Sequence, residues 1–171
     1  EASMSTKKLT LLAMFATISL AIYAAESAIP PLVPLPGVKL GLANVVTLIL
    51  LRHFSLRDAA IVLSARIGLS ALLFGQALSL LYSLAGGVLS LLVMALVMKL
   101  LCKRMVFLTG AMGGLAHNMA QLITALAVTS TPGVLAYLPF LTLSGVLTGA
   151  FTGFCAQAAG RYLMPHLPPK T

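Results

Sequence analysis

The stretch PGVKLGLANVVTLILLRH, residues 36–53, combines a long apolar run with polar residues near both ends. Its apolar part predicts a membrane helix, yet Lys39 and Asn44 stand near one end, and Arg52 and His53 close the other. An ionisable group inside a bilayer costs at least about 2.5–3.5 kcal/mol on insertion scales, so Lys39 needs a physical reason. The stretch is therefore either a plain membrane anchor or an anchor joined to the rim of a binding site.

The composition of the whole chain is that of a membrane protein. Of its 171 residues, 60% are hydrophobic and 8% are charged, and the mean hydropathy is +1.06. A soluble domain carries about 25% charged residues. The net charge of +8 sits at the ends of apolar runs and not on one polar face, which favours membrane topology over nucleic-acid binding. Cys102 and Cys155 show neither a disulfide framework nor a metal-binding spacing, and no cofactor is expected.

Six apolar runs have about the length that a spanning helix needs. They predict an all-α bundle of six transmembrane helices in one domain, residues 9–164. Residues 1–8 are interpreted as a tag remnant and a cytoplasmic N-terminus, and residues 165–171 as a cytoplasmic tail. A proline-rich loop, PPLVPLPG, follows the first helix, and Gly86-Gly87 interrupts the fourth. The predicted helices are 9–29, 38–54, 57–74, 77–101, 105–128 and 138–163.

Positive charge alternates between the predicted loops. Of the 11 Lys and Arg residues, nine fall on one side of the predicted membrane, while Lys39 falls on the other and Arg66 lies within a span. Because cytoplasmic loops are enriched in Lys and Arg, this pattern places both termini in the cytoplasm, in the cell membrane.

The polar residues within the spans lie mostly in the outer half. Counted at 1.5 Å per residue, Arg66 lies about 13 Å from the cytoplasmic end of its helix, and His117 lies deeper still. This asymmetry favours a pocket that opens outward over a continuous channel. The predicted ligand-binding residues are Glu26, Lys39, Asn44, Arg66, Gln76, His117, Asn118 and Gln121.

Each of these residues also has a purely structural interpretation. Glu26 and Arg66 form a buried ion pair in that alternative, and Lys39 extends to the lipid headgroups. The polar face around His117 then forms hydrogen bonds between helices. If Glu26, Lys39, Arg66 and neutral His117 instead share one pocket, their charges sum to +1, which a carboxylate or phosphate of a ligand would balance.

Two stripes of small residues permit close contact between helices. Ala13, Thr17, Ala21 and Ala25 recur at every fourth position of the first helix, and Gly145, Gly149 and Gly153 do so in the sixth. Each stripe either packs inside the molecule or docks a membrane partner.

The sequence lacks the residues that several kinds of catalysis require. No P-loop motif is present, so ATP hydrolysis through that motif is excluded. The acids are Glu1, Glu26 and Asp58, whereas a prenyl-diphosphate synthase needs clustered aspartates to hold Mg²⁺ on a diphosphate. No Ser/His/Asp constellation fits the outer half. The sequence therefore predicts binding and not an enzyme.

Four blocks resemble the Gx transporter family, which is also labelled heptaprenyl diphosphate synthase component I. The resemblance covers about residues 9–160, and the family in turn resembles the substrate-binding S components of energy-coupling factor (ECF) importers. The blocks are PGVKLGLANVVTLILL (36–51), SLAGGVLSLLVMAL (83–96), GGLAHNMAQL (113–122) and YLPFLTLSGVLTGAFTG (137–153).

The resemblance implies six helices, cytoplasmic termini and an outward pocket capped by the loop after the first helix. It also implies docking of the alanine stripe on a T subunit that two ATPases drive. The expected function is uptake of a small anionic or amphipathic micronutrient. The alternatives are a non-catalytic membrane accessory of prenyl-diphosphate or quinone-precursor synthesis, and a standalone transporter.

Overall fold

The computed structural model describes residues 6–29, 38–75, 77–101 and 105–163. Within these ranges the chain forms six α-helices, one 3-10 helix before the last of them, and no strand, which confirms the predicted all-α six-helix bundle. The helices are α1 (Thr6–Ser27), α2 (Asn44–His53), α3 (Leu56–Phe74), α4 (Ala77–Leu100), α5 (Val106–Thr129) and α6 (Leu138–Leu163), and the 3-10 helix is Pro132–Tyr137. Gln76, Cys102, the proline-rich loop and the tail after residue 163 lie outside the described residues.

The predicted start of the second helix, residue 38, is wrong. Helix α2 has ten residues and begins at Asn44, so it rises only about 15 Å, half of a hydrocarbon core of about 30 Å. The six residues before it are not helical, and Gly41 has a φ of 80°. A backbone angle of this sign ends helical geometry and is readily adopted only by glycine.

The predicted interruption of the fourth helix is also wrong, because α4 runs continuously through Gly86 and Gly87. Their missing side chains make room for neighbours. A Cβ on Gly86 would lie 2.7 Å from the ring of His117, and one on Gly87 would lie 3.0 Å from Leu63. The glycine pair is thus a place of close packing within an unbroken helix.

In the part of the chain that the structure describes, three segments are long and apolar enough to cross a membrane: Thr6–Ser27, Ala77–Leu100 and Pro132–Tyr162. Large apolar side chains such as Leu72, Leu147 and Phe154 are exposed on the surface of the bundle, as lipid contact requires. The chain is therefore a membrane-embedded helical protein.

The glycine stripe of α6 packs inside the molecule. Helix α5 makes its most extensive contact with α6, and a Cβ added to Gly110 or Gly114 of α5 would lie 2.3 or 2.2 Å from a backbone oxygen of Gly149 or Gly145. The two backbones therefore touch, which is the use of small residues that membrane helices favour. The alanine stripe of α1 differs, because Ala13, Thr17, Ala21 and Ala25 are all exposed.

Contacts at the two ends of the bundle follow the alternating order of the helices. At one end Lys8 of α1 forms an ion pair with Asp58 of α3, at 3.0 Å, and Ser55 and Asp58 form a capping box at the start of α3. At the other end the hydroxyl of Tyr23 lies 2.8 Å from that of Ser79 in α4. The starts of α1 and α3 thus share one end of the bundle, and the end of α1 and the start of α4 share the other.

Gly114→Ala is expected to destabilise the bundle by about 1–3 kcal/mol. The new Cβ would overlap backbone atoms of α6, which cannot rotate away as a side chain can. The measurement is the thermal unfolding of the purified protein in detergent. Gly68→Ala in α3 is the matched control, because nothing lies within 4 Å of a Cβ there, and its midpoint should stay equal or rise. Equal losses in the two variants would contradict the close α5–α6 contact.

Candidate ligand-binding site

A small polar cavity lies where the start of α2 meets α1, α3, α4 and α5. Its volume is about 10 Å³, at the lower limit of the space that one water molecule needs. In this conformation the cavity is nearly filled by its own side chains, so a larger ligand would require them to move apart. It is lined by Tyr23, Glu26, Lys39, Gly41, Ala43, Asn44, Arg66, Ser83, His117 and Gln121.

Glu26 binds the backbone that leads into α2. Its carboxylate accepts hydrogen bonds from the amide N–H of Gly41, at 2.7 Å, and from that of Leu42, at 3.1 Å. These N–H groups belong to the turn before the helix and have no helical partner. Negative charge is also favoured at a helix N-terminus. The side chain is 5% exposed, so the two amides provide most of the solvation that water would otherwise give.

Two further side chains form hydrogen bonds with backbone groups of this non-helical segment. The N–H of Lys39 donates to the amide oxygen of Gln121, at 3.2 Å, and the hydroxyl of Thr148 in α6 donates to the carbonyl of Leu40, at 3.3 Å. Non-helical backbone is tolerated at membrane depth only where protein or a cavity surrounds it. Here α1, α5 and α6 each provide a partner.

Lys39 turns back towards α1. Its ammonium group donates to the hydroxyl of Ser27 and lies 3.3 Å from the ring centroid of Tyr23. The face of an aromatic ring attracts a cation. The side chain of Lys39 therefore lies along the wall of the cavity.

Arg66 projects from α3 into the cavity and is 3% exposed. Its guanidinium carbon lies 5.4 Å from the ring centroid of Tyr23. Within the described ranges the single ion pair joins Lys8 and Asp58, so the predicted alternative of a direct Glu26–Arg66 pair is wrong. The Glu26 carboxylate already accepts hydrogen bonds from the α2 turn. The Arg66 side chain faces the cavity without a carboxylate partner.

His117 fits between two glycines. A Cβ on Gly41 would lie 2.8 Å from its ring, and one on Gly86 2.7 Å. The amide nitrogen of Gln121 lies 3.0 Å from Nε2 of His117. Since an amide N–H only donates, Nε2 is the acceptor and the ring carries its proton on Nδ1. His117 is therefore the neutral member of the cavity lining.

Six of the eight predicted ligand-binding residues thus meet at this cavity. Asn118 does not line it, because its amide donates to the carbonyl of Leu141, at 2.9 Å, and to the hydroxyl of Ser144, at 3.1 Å. Gln76 lies outside the described residues. The six at the cavity are Glu26, Lys39, Asn44, Arg66, His117 and Gln121.

Sequence reasoning missed Tyr23, Ser83 and the two glycines that hold His117. The position of Tyr23 three residues before Glu26, on the same face of α1, was the available signal. Gly41 and Gly86 carry no chemical signal of their own.

The cavity offers hydrogen-bond donors and positive charge. Among the described residues, His, Cys, Asp and Glu side chains do not assemble in groups of three that would hold a metal ion. The arrangement can bind and orient an anionic or polar group.

The fold and the cavity define a helical membrane protein with a buried polar site at the start of a short helix. The chain belongs to the family described as heptaprenyl diphosphate synthase component I, whose model matches residues 15–159. Comparison with curated proteins gives no match, and comparison with solved structures gives none either.

Glu26→Gln should destabilise the protein by about 1.5–3 kcal/mol, the value of a hydrogen bond to a charged group. An amide has one acceptor oxygen for two N–H donors, and its loss of charge leaves Lys39 and Arg66 uncompensated. The check is the thermal unfolding midpoint in detergent. Thr17→Val is the control, because the exposed Thr17 hydroxyl bonds only to the carbonyl of Ala13 in its own helix. An unchanged midpoint for Glu26→Gln would contradict the role given to the carboxylate.

Gly41→Ala should both destabilise the protein and displace His117, since its Cβ would overlap the ring and its φ is positive. Gly75→Ala separates the two effects, because Gly75 has a φ of 60° but nothing within 4 Å of its Cβ. The measurement is the NMR signal of the His117 ring together with the unfolding midpoint. We expect Gly75→Ala to destabilise the protein by about 1 kcal/mol through backbone strain, which lowers the midpoint, and to leave the His117 signal in place. Equal displacement of that signal in both variants would refute the contact.

Proposed function

We propose that the protein is the substrate-binding, S-component-like subunit of an ATP-driven ECF-type importer of a small anionic or amphipathic micronutrient. In this proposal it lies in the cell membrane with both termini in the cytoplasm and is not itself an enzyme. Its partners are a T subunit and two ATPases, which provide the energy. The proline-rich loop, which the family resemblance implies caps the pocket, lies outside the described residues.

The observation that carries the proposal is the position of the cavity. It lies at the end of the bundle where α1 ends and α2 starts, opposite the end that holds Lys8 and the basic end of α2. If basic residues mark the cytoplasmic side, the cavity belongs to the outer half. A site confined to one half suits a binding subunit better than a channel, which would need polar lining through both halves.

The exposed alanine stripe provides the second support. Helix α1 buries Leu12, Phe15 and Tyr23 against the bundle and leaves Ala13, Thr17, Ala21 and Ala25 exposed on another face. Small residues let a second helix approach closely. The T subunit would dock on this face.

The alternative is a non-catalytic membrane accessory of prenyl-diphosphate or quinone-precursor synthesis. The description of the matching family favours it, since it reads heptaprenyl diphosphate synthase component I. In that case the exposed face of α1 would contact a synthase subunit, and the cavity would hold a lipid-like substrate.

Ala21→Leu should weaken recovery of the T subunit and the ATPases about fivefold or more, the equivalent of about 1 kcal/mol of overpacking at the contact. The experiment is purification of the tagged chain from its native membrane in mild detergent, with the partners quantified by mass spectrometry. Ala65→Leu is the matched control, since Ala65 is an exposed alanine of α3. Both variants should keep the wild-type unfolding midpoint.

Two outcomes would oppose the importer. Recovery of a prenyl-diphosphate synthase subunit in place of the ATPases would favour the accessory. Uptake by vesicles that hold this chain alone would favour a standalone transporter.

A further inference from the structure

Resting on the proposed function, we infer that the ligand presents a single carboxylate group to Arg66 and Asn44, and that the site rejects a diphosphate. These properties of the ligand follow from the buried donors that lack an acceptor and from the sum of the charges around them.

Two buried donors face the cavity without an acceptor among the described residues, and a third, the Nδ1–H of His117, packs against Gly86 without one. Arg66, at 3% exposure, has the Tyr23 ring as its neighbour and no hydrogen bond or ion pair within those residues. The amide nitrogen of Asn44, at 4% exposure, has no hydrogen-bond partner there either. An unsatisfied buried donor is costly, and a charged one more so. Both side chains line the same cavity.

The carboxylate, amide and imidazole acceptors nearby are already used. Both carboxylate oxygens of Glu26 accept from the α2 turn. The amide oxygen of Gln121 accepts from the N–H of Lys39, and Nε2 of His117 accepts from the amide nitrogen of Gln121. The hydroxyl of Ser83 also lines the cavity but carries no charge, so an anionic acceptor for Arg66 and Asn44 comes from the ligand.

The charge balance sets the number of negative charges. Two cations, Lys39 and Arg66, face one carboxylate, Glu26, and His117 is neutral, so the lining carries one net positive charge. A monocarboxylate brings this sum to zero. A phosphate monoester carries about −1.5 to −2 at neutral pH, and a diphosphate carries more, so either leaves excess negative charge where water cannot solvate it.

Geometry also favours a carboxylate. A guanidinium offers a planar fork that matches two carboxylate oxygens, and the Asn44 amide adds a donor from a different helix. The cavity volume of about 10 Å³ is at the lower limit for one water molecule. A flat three-atom group requires the smallest displacement of the lining. A diphosphate would require the Lys39 side chain and the α2 turn to move.

The test is binding of small probes to the purified full chain in uncharged detergent, by calorimetry and thermal shift. The probes are acetate, butyrate and benzoate, with butyl phosphate and isopentenyl diphosphate as the more highly charged comparison and butyramide as the neutral one. We expect at least one carboxylate to bind saturably, and the phosphate compounds and butyramide to bind at least about tenfold more weakly.

Variants then assign the binding to this cavity. Arg66→Gln should weaken carboxylate binding about ten- to hundredfold, the value of a charge-assisted hydrogen bond. Arg66→Lys should recover part of it, because the charge returns without the fork. Arg161→Gln, an exposed arginine at the other end of the bundle, is the matched control and should bind as the wild type does. If Arg66→Gln fails to fold, Arg66→Lys and Asn44→Ala carry the test.

Three results would overturn the inference: no binding of any carboxylate, equal or tighter binding of isopentenyl diphosphate, or carboxylate binding that Arg66→Gln and Arg66→Lys leave unchanged. Failure of the proposed function is seen separately. If carboxylates bind but the T subunit and the ATPases are not recovered, the importer is wrong and the ligand class stands. If those partners are recovered but no carboxylate binds, the ligand class is wrong and the importer stands.

Discussion

The two hydrogen bonds that the α2 turn donates to the Glu26 carboxylate shape this end of the bundle and its cavity. They allow the chain to enter the bundle as a non-helical segment and to begin α2 only at Asn44. Without an acceptor, the N–H groups of Gly41 and Leu42 would lie in a low-dielectric interior at a cost of several kcal/mol each. A short α2 in turn leaves the space at its N-terminus that becomes the cavity.

The same two bonds determine the electrostatics of the site. Because the backbone occupies Glu26, its carboxylate is not paired directly with Arg66, and both Lys39 and Arg66 instead lie near the ring of Tyr23. An aromatic ring offsets only part of the cost of a buried cation. The remaining positive charge gives the cavity its preference for an anion, so the feature that stabilises the irregular backbone also produces the candidate binding site.

Glycine contributes to the fold in two physically different ways, and neither is visible from composition. At Gly110 and Gly114 the absence of a side chain lets the α5 and α6 backbones touch. At Gly41 and Gly86 it leaves room for the His117 ring, and Gly41 also turns the chain. The glycine stripe of α6 and the alanine stripe of α1 looked equivalent as patterns, yet one is buried in a helix contact and the other is exposed.

The amino-acid sequence alone was enough to predict the number and order of the helices and most of their approximate ends, because transfer into lipid depends on the hydropathy of each residue along a run. It also identified six of the residues that meet at the cavity, because polar groups in apolar runs are rare and costly. Only the tertiary structure decided which donor meets which acceptor: Glu26 binds the α2 turn and not Arg66, and Asn118 faces α6 while its neighbour His117 faces the cavity. These choices depend on how each helix is rotated against its neighbours, which hydropathy does not specify. The start of α2 was missed for a related reason, since residues 38–43 are apolar enough to continue a helix and only the positive φ of Gly41, stabilised by contacts from other helices, ends it.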